Sequence, residues 1–256
     1  PWGHTVGQLP PTEALDLGDG SGACAVLGID DVLRVARELA PVVPLRENAA
    51  AHRPIEAAMQ ASADWVAGLA ERIEDPATPA VYGINTGFGA LAGRRVLRSA
   101  YEADVLQRNL LVSHAVGGGR LLAEDEARAT ALVRVSQLVR GRSGVRIAVV
   151  NRLVALLNAR ILPTVHAYGS LGASGDLAPL AELALAISAA PATPAGVAPL
   201  PVDASDVDAW IRDDDDAGRA PGDLRLEPDP RDGAARLWRR VPAAAALAPH
   251  GGQVPL

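Results

Sequence analysis

The residues best equipped for chemistry stand in one string, Gly169-Ser170-Leu171-Gly172-Ala173-Ser174-Gly175-Asp176-Leu177-Ala178-Pro179-Leu180. Gly172 and Gly175 let the backbone fold tightly around Ala173 and Ser174, because a residue without Cβ reaches conformations closed to the others. Asp176 is a good helix N-cap, and Pro179 is tolerated in a first helical turn, where its missing N–H costs nothing. The turn is therefore expected at the positive end of a helix, where developing negative charge is favoured. Ser174 does not make a hydrolase nucleophile elbow: Gly172 stands two places before it, but Asp176 rather than glycine stands two places after. No His and acid partners for such a serine follow. Gly117-Gly118-Gly119 leads into Arg120 with no Lys-Ser/Thr pair, so it reads as a helix-ending loop and not as a phosphate loop.

A second string, Tyr82-Gly83-Ile84-Asn85-Thr86-Gly87-Phe88-Gly89, holds three glycines in eight residues. That composition suits neither a helix interior nor a strand, so it is a loop. The elements that must position both strings are helical. Apolar residues recur at helical spacing after Asp30, which reads as an N-cap (Val32, Leu33, Val35, Ala36, Leu39), and again over residues 47–73 (Ile55, Met59, Val66, Leu69, Ile73). Further helices are expected over residues 99–113, from Glu124 through Val139, over residues 145–157 and over residues 176–190. Residues 1–27 read as a loose leader or extended arm. After Pro191 proline becomes frequent, Asp213 to Asp216 form an acidic run, and no apolar period persists. Residues 191–256 therefore read as linker or disorder, with a short helix near residues 234–240 at most.

Composition narrows the function. Hydrophobic residues make up 49% and charged residues 21%, the balance of a soluble globular protein. Aromatics are only 3%, so Ala, Leu, Val and Ile must build the core, which favours helices. The net charge is −6, all 24 basic residues are Arg, and no basic stripe stands out, so nucleic acid is not the expected partner. A single cysteine, Cys24, excludes a disulfide framework within the chain and fits a reducing compartment. His4, His52, His166 and His250 show no ligand spacing, so no metal is expected. No apolar run spans a bilayer, and the first residues lack the pattern of a signal peptide, so the expected location is cytoplasmic.

The stretch over residues 169–181 resembles the prosthetic-group segment of the aromatic amino acid ammonia-lyases, which include the histidine, phenylalanine and tyrosine lyases and related aminomutases. Residues 82–89 resemble the Tyr-Gly-x-Asn-Thr-Gly-Phe-Gly loop of that family. Residues 106–117, with Gln107-Arg108-Asn109-Leu110 and Ser113-His114-Ala115, resemble the segment that lines its substrate pocket. The resemblance spans roughly residues 27–190. It implies an all-α fold, a helical bundle with Gly-rich active-site loops. It also implies that Ala173-Ser174-Gly175 cyclise to a 4-methylidene-imidazol-5-one (MIO). The amide nitrogen of Gly175 would attack the Ala173 carbonyl, and loss of two waters would turn the Ser174 side chain into an exocyclic methylidene.

The implied reaction eliminates ammonia from an aromatic L-amino acid. Tyr82 matches the catalytic base; a phenol is a weak base near neutral pH, so the site must favour its deprotonation. His114 and Asn85 match substrate contacts, with Asn85 equally readable as a turn residue. The Ser-His-Ala setting is closer to the histidine lyases, implying histidine to urocanate; a tyrosine or phenylalanine lyase or aminomutase is the alternative. Family members are homotetramers about twice this length. The Asn, Gln, second Tyr, Arg and Glu motifs of their second half do not occur here. Three stretches are therefore expected: a leader (1–27), the lyase region (28–190) and a divergent, truncated or frameshifted tail (191–256). An inactive remnant, or one half awaiting a partner chain that covers its apolar helix faces, is the reading from a different class.

Overall fold

The computed structural model describes residues 13–19, 21, 23–45, 50, 52–92, 94, 99–189, 195–196, 208–212, 224–228, 235–250 and 252–254. His4 and the acidic run from Asp213 to Asp216 lie outside them. In chain order the helices are α1 (Ile29–Ala36), α2 (Arg53–Ala70), α3 (Ala100–His114), α4 (Glu124–Leu138), α5 (Ile147–Asn158), α6 (Ala178–Ile187) and α7 (Ala243–Leu247). The strands are β1 (Gly118–Leu121), β2 (Leu162–Pro163), β3 (His166–Tyr168), β4 (Leu171–Gly172), β5 (Gly175–Asp176), β6 (Asp208–Arg212), β7 (Leu224–Pro228) and β8 (Ala235–Pro242). No helix among the described residues is long and apolar enough to cross a membrane.

The core sits around α4 and α5. Leu132, Val135, Val150 and Val154 are all fully buried there. Helix α2 adds Ile55, Met59 and Ala63, one turn apart on one face. The connection from α4 to α5 lies directly on α2. At Gly141 (φ +65°) a Cβ would stand 2.7 Å from the Ala58 carbonyl carbon, and the Gly144 N–H donates to Ser62 Oγ at 3.0 Å. These glycines allow the backbones to touch.

Buried polar groups stitch this frame together. The Arg128 guanidinium donates to the Val35 carbonyl (3.0 and 2.8 Å) and to the Leu157 carbonyl (2.7 Å). Burial pushes its pKa down to about 10; the three bonds to those two carbonyls are what make a buried cation tolerable there. Asn158 and Asn151 on α5 each make a pair of bonds to the backbone of Val42 and Leu45, from 2.8 to 2.9 Å. Cys24 Sγ donates to the Val139 carbonyl at 3.2 Å.

Three expectations need correction. Helix α1 is capped by Gly28, with Asp30 inside its first turn; the Asp31 carboxylate accepts the Gly28 N–H at 2.9 Å instead. Leu15 and Leu17 are buried in the core, and Leu15 bridges Val42, so this part of the expected leader is packed. The fold is also not all-α. Strand β2 begins a four-stranded antiparallel sheet in the order β2-β6-β8-β7. Most of that sheet comes from the segment expected to be a linker, and residues 235–242 form a strand rather than a short helix. The reason is pairing across the chain: β6 finds its partner in β2, and Trp238 and Trp210 bury against Leu162. Trp238 also lies under the Arg160 guanidinium, 5.5 Å from the ring centre, and Arg160 pairs with the buried Glu124 carboxylate at 2.9 and 2.7 Å. Tryptophans that look stranded among charges in sequence are thus an apolar anchor in space.

Candidate functional site

Tyr82 sits in the loop between α2 and α3. The carboxamide of Asn85 closes that loop: its Oδ1 accepts the Val81 N–H at 2.7 Å and its Nδ2 donates to the Pro79 carbonyl at 2.9 Å. Asn85 is 2% exposed and faces the loop's own backbone. Of the two readings of Asn85, turn residue and substrate contact, the structure shows the first: a carboxamide with both ends bonded inside the loop serves as its internal brace. Gly83 turns the chain at φ +79°, and Gln107 of α3 donates to its carbonyl at 3.2 Å. Tyr82 is left pointing outward, 62% exposed. Its ring meets Phe88 edge-on at 5.7 Å, and its hydroxyl accepts the Gly89 N–H over a long 3.4 Å.

His114 is the last residue of α3. Its Nδ1 lies 2.8 Å from the Leu110 carbonyl and 3.1 Å from Ser113 Oγ. A carbonyl can only accept, so Nδ1 carries the proton, and in the neutral ring Nε2 is left as an acceptor.

Ala173 and Ser174 form the tip of a two-residue hairpin in which Leu171 pairs with Asp176 and Gly172 with Gly175. Gly175 takes φ +83°, a conformation that favours glycine in such a tight hairpin. Ala173 and Ser174 are both exposed. Helix α6 starts just beyond, one residue later than expected: Leu177 is the N-cap, and the Asp176 carboxylate accepts the Ala178 N–H at 3.2 Å. The hairpin thus stands before a helix N-terminus, whose open N–H groups favour negative charge.

These pieces meet at one cleft of about 620 Å3, lined by Tyr82, Phe88, His114 and Ser174, by Leu110, Leu138, Val149 and Leu153 of the helices, and by Leu177 with one face of α6 that includes Leu180, Ala184 and Ile187. That size suits a small molecule. Its walls are apolar, and its polar groups are a phenol, an imidazole, a serine hydroxyl and the Arg134 guanidinium. Ala173, Gly175 and Asn85 do not line it. Leu171, Leu177 and Leu180 stand exposed beside it.

The surroundings of the hairpin leave room for a cyclised Ala-Ser-Gly group: apart from the flanking residues, no atom comes within 4 Å of a Cβ position at Gly172 or Gly175, and Ser174 lines the same cleft as Tyr82 and His114. Sequence reasoning missed two residues near it. Arg134 lies one turn from Leu138 on α4, so both reach the cleft; Arg134 also donates to Gln137 at 3.1 Å. Glu182 is the only charged residue of α6, Ala178-Pro-Leu-Ala-Glu-Leu-Ala-Leu-Ala-Ile187, and a lone acid in an apolar helix was the available signal. Its carboxylate is buried and accepts from three donors: the His166 N–H (2.7 Å), His166 Nδ1 (2.8 Å) and the Gly117 N–H (3.2 Å).

Comparison with known structures gives the class first: the fold is that of the ammonia-lyases and aminomutases. The tyrosine aminomutase of Streptomyces globisporus superposes with a TM-score of 0.60 at 30% identity, over 95% of this chain and 34% of that one. The chain belongs to the aromatic amino acid lyase family, whose model matches residues 27–198. It is similar to the histidine ammonia-lyase of Sorangium cellulosum, 45% identical over 159 residues, which is 62% of this chain and 28% of that protein. The histidine ammonia-lyase of Geobacillus kaustophilus is 55% identical over 108 residues, 42% of this chain and 21% of that protein. The chain thus spans between a fifth and about a third of the length of the relatives it matches.

Proposed function

We propose that this chain carries the electrophile and the base of a cytoplasmic ammonia-lyase that eliminates ammonia from an aromatic L-amino acid, histidine to urocanate. The observation that carries the reading is the meeting of Tyr82, His114 and Ser174 at one apolar cleft, although they lie far apart in sequence. Ala173, Ser174 and Gly175 are the residues that would form the MIO, by joining the Gly175 nitrogen to the Ala173 carbonyl carbon with loss of two waters. That group, once formed, supplies an electrophilic carbon, which no common side chain offers.

The side chains do the rest. Tyr82 stands at the mouth of the cleft to take the proton from the substrate β-carbon. Its glycine-flanked loop gives it the freedom to close over a bound ring. Leu110, Leu138, Val149 and Leu153 hold that ring and keep water from it. His114 Nε2 accepts a hydrogen bond from a substrate ring N–H, which selects imidazole over the phenyl ring of phenylalanine. The apolar rim at Leu171, Leu177 and Leu180 is covered in the working assembly, a homo-oligomer or a pairing with a partner chain.

Histidine is favoured by the relatives, since the curated proteins matched at 45% and 55% identity are histidine ammonia-lyases. Tyrosine is the second substrate reading, because a phenol O–H satisfies His114 Nε2 equally and a tyrosine aminomutase shares the fold. The test is the intact mass of the purified chain, with the peptide holding residues 173–175 mapped. A deficit of two waters is expected, abolished by Ser174→Ala, which removes the hydroxyl that must leave. Urocanate from histidine, against coumarate or β-tyrosine from tyrosine, then decides the substrate. A full, unmodified wild-type mass overturns the electrophile.

A further inference from the structure

We infer that Glu182 is a positioning residue that holds the Ala173-Ser174-Gly175 hairpin in its cyclising geometry by clamping both of its roots and the end of the His114 helix to one carboxylate. The inference rests on the function proposed above and adds a residue to it.

Glu182 lies on α6, one helical element beyond the hairpin, and its side chain is 7% exposed. A buried carboxylate costs free energy unless its oxygens are met by donors. Here they are met by groups from two other segments. Oε2 accepts the backbone N–H of His166 at 2.7 Å, and Oε1 accepts from the His166 ring at 2.8 Å. Oε1 also takes the Gly117 N–H at 3.2 Å.

Those contacts lie where they constrain the hairpin. His166 opens β3, the strand that leads into the turn, and Glu182 belongs to the helix that leaves it. The segment between them, which contains the whole hairpin, is a loop with both ends fixed to the same side chain. Fixing the ends removes most of the conformations that the tip could otherwise sample. Gly117 follows α3 by three residues, so the same carboxylate sets the height of His114 against the hairpin. The junction is tight: a Cβ at Gly117 would stand 2.7 Å from Glu182 Oε1 and 2.7 Å from the His166 Cβ. Strand β3 is held from its other side by pairing with β1, Gly118 with Tyr168 and Leu121 with His166. An intramolecular cyclisation needs its two atoms held near contact, and rate falls steeply as they drift. Glu182 touches neither of those atoms. It acts through the strand and the helix on each side of them.

The test uses the full chain and three proteins: wild type, Glu182→Gln and Asn158→Ala. Glutamine keeps the shape but offers one acceptor oxygen in place of two, so at least one of the three buried donors goes unmet. Asn158→Ala removes a comparable pair of bonds on α5, away from the hairpin, and controls for loss of stability alone. Two readouts are taken, the fraction of chains that have lost two waters and the amide exchange rate over residues 164–177. Glu182→Gln is expected to exchange about tenfold faster over that span, the scale of one buried donor left unmet, and to show a smaller dehydrated fraction. Asn158→Ala is expected to match wild type in both. Wild-type exchange in Glu182→Gln overturns the inference, as does equal loosening of the span in Asn158→Ala. If wild type itself keeps both waters, the proposed electrophile falls, while the exchange rates still decide whether Glu182 holds the hairpin.

Discussion

Leu132 on α4 is fully buried, while Tyr82 is 62% exposed and Leu171, at the root of the hairpin, is 83% exposed. The two ends of that contrast are two regions of one molecule. Around α4 and α5, apolar side chains interdigitate and the few buried polar groups, Arg128 and the Glu124–Arg160 pair, are bonded to fixed partners. On the cleft face, Tyr82 and Ser174 stand on loops that contribute little packing of their own. Reactive groups must be reachable, and a reachable loop stays in place only when something rigid behind it holds its ends. Asn85 and Glu182 are those holds, one for each loop.

The contrast can be broken most sharply at its buried end. Leu132→Ala should cost about 3 kcal/mol by urea unfolding, because the tight frame cannot collapse into the cavity. A loss under about 1 kcal/mol would mean that the frame is looser than its burial implies. Next comes Tyr82→Phe, which should leave stability within about 0.5 kcal/mol while the rate of the proposed elimination drops about a hundredfold. A fall in stability that matched the fall in rate would make Tyr82 part of the frame. Asn85→Ala should cost about 1–2 kcal/mol, since it leaves the Val81 N–H and the Pro79 carbonyl unmet. The damage should show as faster proteolysis at residues 81–89, with the helices unaffected.

The smallest effect lies on the exposed side of α4. Hydrogen bonds from Arg120, then the one from the Ala123 N–H, hold the Glu126 carboxyl at about 2, below its ordinary 4.5. The folded chain therefore binds this proton less readily than the unfolded one. The stabilisation is complete above about 4.5 and fades as pH falls toward about 2. Melting curves of wild type and Glu126→Gln should differ slightly at neutral pH and converge across that window. A gap that widened on acidification would reverse the sign.

The helices are legible in the sequence because their apolar residues repeat at helical spacing. The expected helix over residues 99–113 stands at Ala100–His114, and the one over residues 47–73 is trimmed to Arg53–Ala70. The strands are not legible. Gly118-Gly119-Arg120-Leu121 has no strand-like composition and becomes β1 only because His166 to Tyr168 comes alongside. Strand β6 likewise depends on β2, a partner distant in the chain, and Trp238 is buried by Leu162 and Arg160 rather than by its neighbours in sequence. Of the expected site residues, Tyr82, His114 and Ser174 do come to one cleft. Asn85 turns inward because its amide matches a donor and an acceptor in its own loop, a choice that the sequence leaves open. Glu182 shows in sequence only as a lone acid in an apolar helix, and its partners, His166 and Gly117, come from distant segments; Arg134 reaches the cleft through packing that no local pattern records.

Cys24 gives the molecule a built-in clock. It is the only thiol in the chain, and its sulfur is committed to the carbonyl of Val139 at the end of α4. Burial raises its pKa, so the nucleophilic thiolate is scarce while the frame is shut. Alkylation of this thiol is therefore expected to quicken when the segment carrying Cys24 lifts off α4, with no label to introduce and no second thiol to compete.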